Sequence, residues 1–258
     1  MSKPDALALA QVFAASSSEP GDWPGISRGT LAAELTARIN SPDLIAQRDT
    51  SLCGPASFVR AVAVDMPLTY ARCAIDLYRT GEGNIVGLNI SPGRRMKRSP
   101  PKMGTGAADW IMLASVRDEE NVLLSGAATP GLLSGMTLPR AMVKWFKSAG
   151  YKSVSDQTRL AWWPLETRLA TARHASNLCS GGYKVVMLVD AGVFSDKKDR
   201  INVPNHWVTL SWQIFNSPAV KLDDTVFVSI YTWGQQRLLP VTLRLFLQKF
   251  YGFVAARL

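Results

Sequence analysis

Two hydrophobic periods divide this chain, and their order is the strongest constraint on its fold. Apolar residues recur every three or four positions through its first two thirds, and from Lys184 they bunch into short β-rich runs. Leu31, Leu35 and Ile39 mark a helix over Thr30–Ile39, and Asn40-Ser41-Pro42-Asp43 breaks it. Phe58, Val59, Val62 and Ala63 mark a second, and Pro67 a break. Tyr70, Cys73, Ala74 and Leu77 mark a third, ending near Gly81 and Gly83. Further helices are expected over Ala107–Val116, over Leu138–Ala149 with Gly150 as terminator, and from Trp162-Trp163-Pro164 to Leu178. Glycine-rich turns from Gly126 to Gly135 separate the first two of these. Strands are expected at Val185–Val189, His206–Trp212 and Val226–Tyr231, with a charged turn at Asp196–Arg200 and a polar loop through Asn216-Ser217-Pro218. Leu243, Phe246, Leu247 and Phe250 suggest a closing helix that Gly252 breaks before a short tail. Helices first and antiparallel strands last is an α+β order. Residues 1–40 read as a leader packed on a single domain spanning 41–258.

A chain of 258 residues with 47% hydrophobic content can bury a substantial core. Three cysteines do not form a disulfide framework, and the odd count leaves at least one thiol free, which suits a reducing compartment. Cys73 falls on an apolar helical stripe and reads as core; Cys179, beside Ser180-Gly181-Gly182, reads as incidental. Two histidines and three cysteines without paired spacing argue against a structural zinc site, and neither a metal nor another cofactor is expected. No apolar run approaches the length of a membrane span. Residues 6–15 lack the basic start and apolar centre of a secretory signal. The expectation is a protein made in the cytoplasm that, where exported, uses a signal-peptide-independent system.

The net charge of +9 is partly concentrated in Arg94-Arg95-Met96-Lys97-Arg98, with Lys102 close behind, between Pro92-Gly93 and Pro100-Pro101. This reads as a solvated basic loop, with docking to an acidic partner as the functional alternative. The interleaved aromatics of a single-strand nucleic-acid groove are missing, so nucleic acid is not the expected partner.

The chemistry is expected at Gln47-Arg48-Asp49-Thr50-Ser51-Leu52-Cys53-Gly54-Pro55-Ala56. Pro55 suits a first helical position, so Cys53 falls at or just before a helix N-terminus. Free N–H groups and the macrodipole there favour a thiolate. Gly54 would let a substrate backbone approach, and the Gln47 amide could face a developing oxyanion.

The pattern Gln-x5-Cys-Gly-Pro-Ala resembles the nucleophile segment of papain-like thiol hydrolases, most closely the double-glycine, bacteriocin-processing branch. Asn205-His206-Trp207-Val208-Thr209-Leu210 resembles that superfamily's histidine strand, and Val226 to Gly234 the strand after it. The resemblance implies a helical half carrying Cys53 packed on an antiparallel sheet carrying His206. It implies an acyl-enzyme mechanism in which Cys53 attacks, His206 is the base, and Gln47 with the Cys53 N–H holds the oxyanion. The substrate would be an amide in a protein or peptide. A peptidoglycan amidase or a protein deamidase would share the fold and the chemistry. The class includes effector toxins delivered into bacteria or hosts, whose partners are an immunity protein or a secretion-machinery component. One departure stands out: the branch's acidic orienter maps to Tyr231, in Tyr231-Thr232-Trp233-Gly234, where no carboxylate occurs. Gln235 is the first candidate orienter, then Ser229 or the Tyr231 backbone, with Asp223 and Asp224 as carboxylate alternatives. The competing readings are a catalytically silent module of the same fold and, on charge alone, a nucleic-acid-binding protein. His174 reads as a helix-end residue rather than the base.

Overall fold

The computed structural model describes residues 2–16, 21–102, 104–124, 136–161, 163–194, 203–217 and 219–258. The expected turns at 126–135 and 196–200, and the positions 162 and 218, lie outside these segments. In chain order the elements are α1 (Lys3–Ala15), α2 (Arg28–Asn40), α3 (Cys53–Asp65), α4 (Pro67–Thr80), β1 (Gly83–Ile85), β2 (Leu88–Ile90) and α5 (Arg94–Lys97). Then come α6 (Ala107–Asp109), a π-helical turn (Trp110–Ala114), α7 (Ser115–Leu124), α8 (Pro139–Ser148), β3 (Ser153–Asp156), α9 (Leu165–Ser180) and β4 (Lys184–Val189). The chain closes with β5 (His206–Leu210), β6 (Thr225–Thr232), β7 (Gln235–Thr242), α10 (Leu243–Lys249) and β8 (Phe250–Arg257).

The protein is α+β. A six-stranded antiparallel sheet, ordered β3-β8-β4-β5-β6-β7, separates two helical layers. Strand alternation sorts the side chains between them. Val186, Leu188, Trp207, Val254 and Ala256 join the larger core with α1 to α4 and α8. Val185, Met187, Val208, Leu210, Phe253 and Ala255 face α9 and α10.

The N-terminal helices belong to the larger core: Ala6, Ala10 and Phe13 of α1 pack with Leu31, Leu35 and Ile39 of α2 in one cluster with α3 and α4. Helix α1 is held by a capping box, in which Ser2 and Asp5 satisfy each other's backbone N–H. Arg94–Lys97 is one helical turn rather than an open loop, and Lys97 pairs with Asp22.

Five strands escaped the sequence reading: the short β1, β2 and β3, and β7 and β8, the last two for opposite reasons. The presumed closing helix ends at Lys249, and Phe250–Arg257 is β8, an interior strand between β3 and β4. It is buried on both faces, so it shows no alternation, and Gly252 reads as a breaker. Gly252 instead permits a close approach: its φ is 95°, and a Cβ there would stand 2.1 Å from the Gln157 carbonyl oxygen. Strand β7 is an edge, exposed on most of its length and carrying Pro240, which also hides the period.

Candidate active site

Helix α3 begins at Cys53, so Pro55 is its third residue rather than its first. The placement is equally harmless, because the first intrahelical bond is Ala56 N–H to the Leu52 carbonyl at 2.8 Å. Gly54 has a different role from the one expected. A Cβ on it would lie 2.4 Å from Thr137 Oγ1, so the missing side chain admits a buried threonine rather than substrate. Thr137 also accepts the Trp207 indole N–H on its carbonyl, at 2.8 Å. Helix α3 is thereby tied to the strand that opens with His206.

Cys53 and His206 come from opposite halves and line one polar cleft of about 360 Å³ with Gln47, Arg48, Asp49, Thr50, Ser51, Met136, Asn205 and Trp233. Both are nearly covered, Cys53 4% and His206 5% exposed. The Gln47 carbonyl accepts the Thr50 hydroxyl at 2.6 Å, and its amide N–H₂ is 3.4 Å from the Thr50 carbonyl.

The Gln47 segment is fixed from both sides. Ala46 N–H donates to Asp109 Oδ2 at 3.1 Å, while Arg38 grips both Asp109 oxygens at 2.6 and 2.7 Å. Burial pushes the Asp109 carboxyl up and the Arg38 guanidinium opposes it. From the sheet, the Tyr231 hydroxyl donates to the Ile45 carbonyl. Gly234 presses on Ala46, where an added Cβ would meet the alanine Cβ at 2.5 Å.

Thr232 is the residue on the imidazole, its Oγ1 standing 2.7 Å from His206 Nε2. Trp233 stacks on the ring, 4.6 Å between centroids and 19° between planes, and Phe194 meets it edge-on. Trp233 holds a positive φ of 49°, and Arg48 on the facing loop a φ of 52°. Such backbone strain in non-glycine residues concentrates at functional sites.

The orienters chosen from sequence are elsewhere. Gln235 is exposed, and its amide oxygen, turned toward Arg237, accepts from the guanidinium at 2.9 and 2.6 Å. Tyr231 and Ser229 belong to the alternate face of β6 from Thr232, and Tyr231 serves the Ile45 carbonyl. Asp223 pairs with Arg244 and Asp224 accepts the Lys221 N–H, both beyond the far end of β6. Parity would have found Thr232. It shares a strand face with Val226, Val228 and Ile230, and His206 shares one with Val208 and Leu210, all within the same core. His174 is exposed on α9, edge-on to Phe253 and absent from the cleft. Cys73 is wholly buried, and Cys179 approaches the Leu210 carbonyl on the far layer.

The electrostatics differ from a simple helix-start thiolate. Burial pushes the Cys53 thiol up; the backbone N–H groups of Trp207 and Gly54, then the Arg117 charge, pull against it. Burial also pulls His206 down to about 4. The Cys53 thiol and the His206 imidazole are therefore both neutral at pH 7.

Comparison with known proteins gave no matching family model, no matching curated protein and no matching solved structure. Among the described residues no group of three or more His, Cys, Asp or Glu side chains is arranged to hold a metal ion, and no helix is long and apolar enough to cross a membrane. A larger groove of about 840 Å³, bordered by Trp212, Phe227 and Leu238, contains neither cysteine nor histidine.

Proposed function

We propose that this chain is a papain-like thiol hydrolase that cleaves an amide bond through Cys53 and His206. One observation carries the reading: a cysteine opening a helix and a histidine opening a strand, from opposite halves, share one cleft, and the histidine's Nε2 is engaged by Thr232. With Thr232 accepting from Nε2–H, the Nδ1 lone pair is the one left to act as base. The order of the halves, cysteine on the helical side and histidine on the antiparallel sheet, supports the papain-like arrangement.

In this mechanism the substrate carbonyl enters the cleft and His206 Nδ1 takes the Cys53 proton as sulfur adds to the carbonyl carbon. The negative charge moves to the carbonyl oxygen, where the Gln47 amide and the Cys53 N–H stabilise it. Collapse breaks the C–N bond, and the imidazolium gives its proton to the leaving amine. Water, deprotonated by the same imidazole, then releases the acid and restores the thiol. The neutral resting pair fits a site in which proton transfer is coupled to addition. Thr232, lacking a charge, fixes the ring's tautomer without stabilising imidazolium as a carboxylate would.

The test is mass-spectrometric comparison of peptide libraries, peptidoglycan fragments and whole proteomes after incubation with the wild type and with Cys53→Ala. New termini that need Cys53 identify a protease, and cleaved cell-wall peptides an amidase. A gain of about 1 Da at glutamine or asparagine side chains identifies a deamidase sharing this acyl-enzyme route. No Cys53-dependent product in any of the three sets would contradict the proposal.

A further inference from the structure

Close to the first turn of α3 is a cation that the thiol–imidazole pair alone does not require. Arg117, on α7, donates from Nη1 to Thr137 Oγ1 at 3.1 Å. That hydroxyl lies against the Gly54 Cα, in the space only a glycine leaves. Through its carbonyl the same threonine receives the Trp207 indole at 2.8 Å. Thr137, itself completely buried, thus joins the nucleophile helix, the histidine strand and the guanidinium.

We infer that Arg117 is an electrostatic positioning residue for the nucleophile: held by Thr137 one hydroxyl away from the start of α3, its fixed charge stabilises the Cys53 thiolate as it forms. This deepens, and rests on, the reading of Cys53 as nucleophile. The site has need of such a charge. His206 is buried and bonded to a neutral threonine, and among the described residues no carboxylate is bonded to its ring. The guanidinium is anchored on the buried Thr137 hydroxyl, beside the first turn of α3, so its charge acts on the thiol through protein rather than bulk water. The charge also opposes the burial that raises the thiol. Among the described residues the other charged or titratable groups lining the cleft are His206 from β5 and Arg48 and Asp49 from the loop before α3; both loop residues are exposed. Arg117 lies on α7, four helices after α3, and Thr137 in the loop before α8, so no local spacing marks the pairing.

The experiment is the pH dependence of Cys53 alkylation by iodoacetamide, read by peptide mapping on the full chain. It compares wild type with Arg117→Lys, Arg117→Met, Arg117→Gln and Thr137→Val. Wholly buried Cys73 in each sample reports whether the fold is intact, since it labels only on opening. Arg117→Met and Arg117→Gln should each raise the Cys53 midpoint by about one pH unit, as expected for loss of a nearby opposite charge. Arg117→Lys should hold the midpoint within a few tenths of a unit. Thr137→Val should raise it by less than Arg117→Met does. An unmoved midpoint in both neutral variants overturns the inference, and so does an equal rise in Arg117→Lys, which would make the effect packing rather than charge. Failure of the underlying reading has its own signature: Cys53 alkylating identically in His206→Ala and wild type removes the thiol–imidazole pair whatever Arg117 does.

Discussion

Acidifying the protein should unfold it partly through His206, and the structure sets the size of the effect. The ring is buried against Trp233, Phe194 and Thr232, and burial draws it from 6.5 down to about 4. The folded state therefore binds fewer protons than the unfolded chain between these two values. The stabilisation is complete above pH 6.5 and drains away as pH falls toward 4. At about 1.4 kcal/mol per unit the full window is worth about 3 kcal/mol, and about 2.5 kcal/mol of it is gone by pH 4.5. Asp109, whose carboxyl burial pushes upward, titrates in the opposite sense. It is present in both members of the comparison and cancels. Urea unfolding followed by tryptophan fluorescence, at pH 7.5 and 4.5, should show the wild type losing about 2.5 kcal/mol more than His206→Gln. Equal losses would refute the claim that His206 is held neutral in the fold.

Thr232→Val, nearly isosteric, should lower kcat/KM by about tenfold to a hundredfold by freeing the imidazole, while Gln235→Ala, whose amide is turned to Arg237, should leave it unchanged. Steady-state kinetics on any substrate that is found checks both, and the reverse ranking would return the orienting role to Gln235. Asp109→Asn leaves the Arg38 guanidinium without its buried partner and should cost about 3 kcal/mol in urea unfolding, with the Gln47 segment becoming protease-sensitive. Gly234→Ala should cost about 2 kcal/mol, since φ is 75° there and the new Cβ meets Ala46. Rescue of its activity by no other change than Ala46→Gly would identify the clash as the cause.

The parts of this fold legible in the sequence are those with one buried face. Helices α2, α3, α4 and α8, and strands β4, β5 and β6, announce themselves through apolar spacing, and the α+β order follows from their segregation. Strand β8 was hidden because both of its faces are buried, and β7 because most of it is exposed. The expected helix over Ala107–Val116 is helical but not regular: it passes through a π turn at Trp110–Ala114, and no residue type there signals the wider turn. At the site, chain order and residue type are enough to suggest Cys53, His206 and Gln47, and all three line one cleft. Thr232 carries no family signature: the resemblance points to Tyr231, whereas strand parity selects the next residue. Arg117 and Thr137 are tertiary neighbours with no local signature at all.

The most direct measurement is labelling of the folded chain with a peptidyl vinyl sulfone, an electrophile that occupies the cleft as an amide substrate would, followed by intact mass and peptide mapping. A thiol hydrolase built on Cys53 and His206 should take up one probe, on Cys53. The adduct should vanish in Cys53→Ala, form about a hundredfold more slowly in His206→Ala, and be unaffected by His174→Ala. Comparable labelling of Cys179, or a His206→Ala rate equal to the wild type's, would contradict the account at its centre.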